Sequence, residues 1–194
     1  MERRRKKSLQ ALSYLANKTD DKSINRMKAI KLLWIADKYH LLKYGRTILK
    51  DNYHALPHGP VCSDTKDISH CTEEYVCEYI EKSGQHAIKA LKDFDASLFS
   101  KTDLEVLDLV WKEFGKFDQF KLEKITHEYP EWKKFEDRLN DANRPNSYKM
   151  NLNDFFNLPE PTGKNMASFF HSIPKEMIEE SKATIGLRKK FEQV

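Results

Sequence analysis

The chain lacks the sequence signatures of membrane proteins and of several common enzyme classes. No apolar run approaches the roughly 20 residues that cross a bilayer, and no signal-type apolar core follows the basic start. We therefore expect a cytoplasmic protein with no membrane contact. No G-x-x-x-x-G-K-S/T, G-x-G-x-x-G or G-x-S-x-G pattern occurs, which argues against phosphate loops, dinucleotide folds and the common serine hydrolases.

Cysteine is scarce, and its spacing favours neither a disulfide framework nor a zinc site. The three cysteines, Cys62, Cys71 and Cys77, are odd in number and include no C-x-x-C pair. The histidines and acids likewise show no H-E-x-x-H spacing. The sequence thus predicts reduced thiols, no bound metal and no cofactor.

The composition is that of one folded domain. A chain of 194 residues with 39% hydrophobic and 11% aromatic residues can build a core, although 33% of its residues are charged. The net charge of +4 is partly concentrated in the run from Arg3 to Lys7. We interpret this run as a solvated tail, with a nucleic-acid or acidic-partner contact as the alternative. The 30 acidic residues balance the basic ones and argue against nucleic acid as a partner.

The segment from Met27 to Val61 predicts a buried helix followed by a shaped loop. Residues 32–36 are apolar around the whole helical circumference, which is typical of a core helix. Ser23 is the predicted cap at its start, and Gly45 suits its end because glycine accepts the left-handed conformation. Proline and glycine at positions 57, 59 and 60 predict an irregular loop over residues 50–61.

The rest of the chain also reads as mainly helical. Residues 61–82 are predicted as one helix, residues 86–95 as a strand pair or a bent connection, and Ser100 with Asp103 as a capping box. Lys175 to Phe191 predicts a terminal helix. The fold class expected is therefore mainly α, a compact helical domain with a small irregular or β element and a C-terminal helical extension.

Two groups of polar residues invite chemical hypotheses. Asp37 and His40 are three residues apart on one helix, so they could form an acid–base pair or half a metal site. The favoured interpretation is structural, with Asp37 binding backbone amides of the following loop. That loop carries Asp51, Tyr53, His54 and His58, a density that leaves a hydrolytic enzyme open as an alternative. The sequence names no catalytic residue.

The same segment carries a family resemblance. The pattern K-x-x-K-L-L-W-x-A-D, then Y-G-R, then D-x-Y-x-A-L-x-H-G-P-V resembles the Panacea domain, the family that includes SocA-like antitoxins and phage-associated GepA-like proteins. Thr126-His127 ahead of Pro130 and Trp132 adds a second match. The resemblance covers roughly residues 8–158, so residues 1–158 are predicted as the Panacea-like domain and 159–194 as a C-terminal extension.

The resemblance implies a protein that is not an enzyme and that neutralises a toxin or effector by binding it. An alternative within the family is an adaptor that delivers the toxin to a ClpXP-type protease. The resemblance provides two sets of candidate residues. The structural motif comprises Asp37, His40, Gly45, Gly59 and Pro60, and the partner-binding residues comprise Arg46, Asp51, Tyr53 and His58.

The C-terminal extension adds candidate anchors for the partner. It is interrupted by proline and only weakly amphipathic, so we expect it to contribute specificity more than core. Phe169, Phe170 and Phe191 are its candidate partner-binding residues, because aromatic side chains supply much of the binding energy at interfaces. The alternative is that these phenylalanines pack back onto the domain as part of its core.

Overall fold

The computed structural model describes residues 3–191, with side chains described from 3 to 186. Helices dominate the fold. They are α1 (Arg3–Ala16), α2 (Arg26–Tyr44), α3 (Ser63–Ile68), α4 (Glu74–Cys77), α5 (Lys101–Phe114), α6 (Gln119–His127), α7 (Pro130–Lys133), α8 (Glu136–Leu139), α9 (Ser168–His171) and α10 (Lys175–Phe191). Short 3-10 turns lie at Ala96–Leu98 and Leu152–Phe156.

Six short strands form two antiparallel sheets within the described residues. They are β1 (Ser23–Asn25), β2 (Tyr53–Leu56), β3 (Gly59–Cys62), β4 (Ile80–Ser83), β5 (Ala87–Ala90) and β6 (Tyr148–Lys149). One sheet has the order β1-β5-β4 and the other the order β3-β2-β6. The expected class, mainly α with a small β element, is confirmed at this level.

The central element is α2, which packs against α1, α5, α6, α10 and β3. Every residue from Ala29 to Leu42 is buried, as the apolar run in this helix predicts. The start differs from the prediction, because Asn25 caps the helix by accepting from the Lys28 amide and Ser23 lies in β1. The end agrees with it, since Gly45 adopts φ 65° and donates to Leu41 O.

The basic run from Arg3 to Lys7 is not a solvated tail. It forms the first turns of α1, and its cations contact acids from other elements: Arg4 with Asp64 at 3.0 Å, Arg5 with Glu73, and Lys7 with Asp103 at 2.6 Å. The run therefore fixes α1 onto the fold.

Two predicted segments have a different structure. Residues 50–61 contain a β-hairpin, with Ala55 paired to Pro60 and Leu56 to Gly59. Pro60 is tolerated because β3 is an edge strand of its sheet, where a missing amide breaks no ladder. Residues 61–82 are not one helix. They are divided into α3, α4 and β4 by a turn in which Cys71 adopts φ 50°.

The C-terminal segment packs onto the same core as the rest of the chain. Phe170, Ile173 and Ile185 are buried in the common hydrophobic cluster, and α10 packs along α2. Gly45 lies so close to α10 that a Cβ added at this position would be 3.5 Å from Ser181. This arrangement corresponds to the core alternative for the tail. Within the described residues no helix has the length and apolarity needed to cross a membrane.

Candidate functional site

A groove of about 980 Å³ lies beside the β2–β3 hairpin. We call it the hairpin groove. Its walls come from the start of α2, from α3, from the start of α6 and from the β4–β5 turn. It is lined by Asn25, Arg26, Met27, Ile30, Lys31, His54, Leu56, Pro57, His58, Val61, Ser63, Lys66, Asp67, Ser69, His70, His86, Gln119, Phe120, Asn146 and Ser147.

The lining of the hairpin groove is rich in cations and imidazoles. Arg26 is held by neutral groups, with Nη1 2.8 Å from His70 Nδ1 and Nη2 donating to Gln85 O at 2.9 Å. Lys66 forms an ion pair with Asp67 at 2.9 Å. Burial lowers the pKa of His70, and the positive charges of Arg26 and Lys66 lower it further. Both cations therefore lie near His70, and the charge of Asp67 opposes their effect in part.

One aromatic side chain is exposed at the groove. Phe120, at the first turn of α6, is 60% exposed, and among the described residues only it and Leu91 are large hydrophobics with such exposure. Asp118 caps α6 by accepting from the Lys121 amide, which fixes the turn that carries Phe120. An exposed aromatic next to a concave surface is typical of a contact site.

A buried lysine on α2 contacts the turn of the hairpin. Lys31 Nζ donates to Pro60 O at 3.0 Å, and burial lowers the pKa of Lys31 to about 7 against the opposing charge of Glu123. Gly59 lies directly above, where an added Cβ would be 2.6 Å from Lys31 Nζ. At φ +97° the backbone here also favours glycine. The positive φ therefore favours glycine at position 59, and a side chain there would also have to displace the Lys31 ammonium.

His127 lies beside this lysine and is stacked on Trp132, with ring centroids 3.6 Å apart. Trp132 Nε1 donates to Leu56 O at 2.9 Å and so joins α7 to the hairpin. Burial and the charge of Lys31 lower the pKa of His127 to about 4. His127 is a neutral packing group at neutral pH.

Asp37 joins α2 to the segment that precedes the hairpin. Its Oδ1 accepts from the amides of Ile48 at 2.7 Å and Leu49 at 3.0 Å, and its Oδ2 accepts from Tyr53 Oη at 2.7 Å. The side chain is fully buried. Asp37 thus binds backbone amides of the loop, and Tyr53 is an interior residue.

His40 does not pair with Asp37. Its Nδ1 lies 2.8 Å from Arg46 O, and its Nε2 lies 3.2 Å from Asp103 Oδ1. Arg46 and Lys7 contact the same carboxylate, at 2.9 and 2.6 Å. Burial opposes ionisation of Asp103, but hydrogen bonds from His40, Lys7 and the Ser100 amide hold its pKa well below its usual range. The acid–base hypothesis for Asp37 and His40 is therefore wrong.

Asp51 caps a helix. Its carboxylate accepts from the amides of Asp64 at 2.8 Å and Thr65 at 3.0 Å and from Thr65 Oγ1 at 2.6 Å, at the start of α3. It is 8% exposed. The density of polar residues in the loop thus reflects structural bonds, and neither Asp51 nor Tyr53 is placed to contact a partner.

The other predicted partner-binding residues do not form one surface. His58 lines the hairpin groove, with Nδ1 3.1 Å from Glu123. Arg46 lies past the opposite end of α2 and contacts Asp103. Phe169 is half-buried against Tyr39, and Phe170 is fully buried. The side chain of Phe191 lies outside the described residues.

Sequence reasoning missed a fully buried ion pair between Lys38 on α2 and Glu131 on α7. The ammonium lies 4.9–5.9 Å from the ring centroids of an aromatic cage formed by Trp34, Tyr129, Phe155 and Phe170. Burial lowers the pKa of Lys38 and raises that of Glu131, and each partner's charge opposes the shift. The signal available in the sequence is a lysine beside an all-apolar helical turn.

A serine and a histidine meet in the groove. Ser63 Oγ lies 2.8 Å from His54 Nδ1, a contact of the kind that activates nucleophiles. No carboxylate contacts His54 within the described part of the chain. No group of three histidine, cysteine or acidic residues is placed to hold a metal ion among the residues that the structure describes.

The ionisation of Asp37 makes a testable contribution to stability. Burial raises its pKa from 3.8 to about 7, against the lowering effect of the bonds from Tyr53 and the loop amides. Between these pH values the folded protein holds a proton that the unfolded chain has released, so stability falls as pH rises through this window. Asp37→Asn removes the titrating group.

We expect the free energy of unfolding of the wild-type protein, relative to Asp37→Asn, to decrease as pH rises from about 4 to about 7 and to be level above it. Urea melts of both proteins at stepped pH measure the difference. A difference that stays flat across the window, or that rises, contradicts the assignment.

A family model described as "Antitoxin SocA-like, Panacea domain" matches residues 30–133, which is more than half of the 194-residue chain. The matched range runs from α2 to the end of α7. It includes Asp37, the β2–β3 hairpin and the Lys38–Glu131 pair. No curated protein and no solved structure gives a significant match.

Proposed function

The chain belongs to the SocA-like antitoxin family with the Panacea domain, and from this membership we propose that it neutralises a partner toxin or effector protein by direct binding. The observation that carries the proposal is the hairpin groove with Phe120 exposed at its edge. A concave surface with one exposed aromatic is suited to receive a segment of another protein.

Co-expression tests the proposal. The gene next to the one that encodes this chain is induced alone and together with it, and growth is recorded. We expect the neighbour's product to arrest growth alone and to be tolerated with its partner, and we expect the two purified proteins to form a complex. If the neighbour's product is harmless, or if the two proteins do not associate, the proposal fails.

The adaptor alternative predicts a different fate for the toxin. Direct inhibition leaves the amount of toxin unchanged, whereas delivery to a protease lowers it. Immunoblots of the toxin in hosts with and without a ClpXP-type protease separate the two. We expect protection of growth in both hosts at equal toxin levels.

The enzyme alternative depends on the Ser63–His54 contact in the hairpin groove. Ser63→Ala removes the hydroxyl and keeps the fold intact. If the protein acts by binding, we expect this variant to neutralise the toxin at the wild-type level. Ser168→Ala, at an exposed position outside the groove, is the matched control. Loss of neutralisation by Ser63→Ala alone, with partner binding retained, would favour catalysis over binding.

A further inference from the structure

The cations that line the hairpin groove outnumber its acids. Arg26 on α2 and Lys66 on α3 both lie near His70, and the groove-lining residues include one acid, Asp67. Asp67 contacts Lys66, whereas the contacts of Arg26 are with His70 and a carbonyl oxygen. Four histidines, at positions 54, 58, 70 and 86, add hydrogen-bonding groups to the lining. The groove therefore favours an anionic occupant.

The groove also has an apolar component. Met27, Ile30 and Val61 line it, and Phe120 presents a ring that is 60% exposed. An inorganic anion or a purely charged chain would leave this apolar surface in water. An occupant that matches the groove carries acidic groups together with at least one large apolar side chain.

The size of the groove limits the occupant to a short segment. Its volume of about 980 Å³ is at the upper end of the range of ligand pockets. A folded domain cannot enter such a space, whereas a loop or a single turn of helix from a larger protein can. The rest of the partner would then lie over the rim.

Nucleic acid matches the molecule less well. Binding to a phosphate backbone needs several cations along a track. The densest basic run of the chain is engaged elsewhere, because Arg4, Arg5 and Lys7 contact Asp64, Glu73 and Asp103. The groove is lined by three cations, Arg26, Lys31 and Lys66, and the ammonium of Lys31 is engaged by Pro60 O.

We propose that the hairpin groove binds an acidic segment of the partner protein that carries a bulky apolar residue, with Arg26 and Lys66 contacting its carboxylates and Phe120 its apolar side chain. This inference rests on the proposed function, since it names the chemistry of the surface by which the partner is recognised. No partner contact is assigned to the predicted binding residues that lie outside the groove.

Charge reversal in the full-length protein tests it. The double variant R26E/K66E should weaken binding of the neutralised toxin at least about tenfold, and F120A should weaken it independently. K101E is the matched control. Lys101 is an exposed lysine at the start of α5, away from the groove. Thermal melts verify folding, and Glu at position 26 suits the first turn of α2.

The outcomes separate this inference from the proposed function. If the wild-type protein neutralises its neighbour and R26E/K66E binds it equally well, the groove assignment is wrong and the function stands. If the wild-type protein does not neutralise the product of the neighbouring gene, a second experiment tests the groove directly. A random-peptide phage library is selected for binding to the wild-type protein. Enrichment of acidic peptides with aromatic residues, lost on R26E/K66E, supports the inference. Basic or uncharged peptides, or a poly(U) RNA probe that binds the groove, overturn it.

Discussion

Replacing Lys38 by alanine is expected to lower the free energy of unfolding by about 3–5 kcal/mol, because it leaves a buried carboxylate uncompensated. Glu131 is fully buried, and its Oε2 has no hydrogen-bond partner among the described residues. Among the described residues, Lys38 is the cation that forms an ion pair with it. At about 2–4 °C per kcal/mol for a chain of this size, the melting temperature should fall by about 6–20 °C.

The double replacement Lys38→Met with Glu131→Leu should recover most of this loss. A buried ion pair exchanged for apolar groups of similar volume is often neutral or stabilising, and the aromatic cage already provides an apolar site. Lys134→Ala is the matched control, since Lys134 pairs with Asp154 at the surface and should cost at most about 1 kcal/mol. Thermal and urea melts of the four proteins complete the comparison. Equal losses for Lys38→Ala and Lys134→Ala would contradict the assignment.

Phe170→Ala is expected to destabilise the fold by about 3–5 kcal/mol, the usual cost of deleting a buried phenyl ring. Phe170 is fully buried, and its ring lies 5.5 Å from that of Tyr129 and 5.2 Å from that of Phe169. Phe120→Ala provides the control, since Phe120 is 60% exposed and its loss should change stability little.

The two phenylalanines separate a core role from a binding role. We expect Phe170→Ala to reduce the melting temperature and Phe120→Ala to reduce partner binding. Differential scanning calorimetry and titration of the partner measure the two quantities. If Phe170→Ala melts like the wild-type protein but binds weakly, the tail carries the partner surface as the sequence suggested, and the packing described above is misassigned.

Local sequence signals predicted several elements because their causes are local. The apolar circumference at residues 32–36 identified the buried helix, and Gly45 marked its end. Ser100 and Asp103 form both bonds of a capping box at the start of α5. Each of these features depends on residues within one or two helical turns.

Features that depend on distant residues were not predicted. The position of Lys38 beside an apolar helical turn is a local signal, but its partner Glu131 lies 93 residues later, so the pair has no local signature. The hairpin was hidden because its prolines and glycine suggested an irregular loop, and only the position of β3 at a sheet edge admits Pro60. The hairpin groove is assembled from five separate parts of the chain, so Arg26, Lys66 and Phe120 carried no signal as a group.

The burial of α2 on every side has a consequence for biosynthesis. Its neighbours include α1, which precedes it, and α10, which begins only at Lys175. A ribosome makes the chain in order, so the end of α2, where Gly45 lies beside Ser181 of α10, emerges long before the helix that covers it. Until then this part of α2 lacks its native packing partner. The burial of α2 is therefore completed only after α10 has been made.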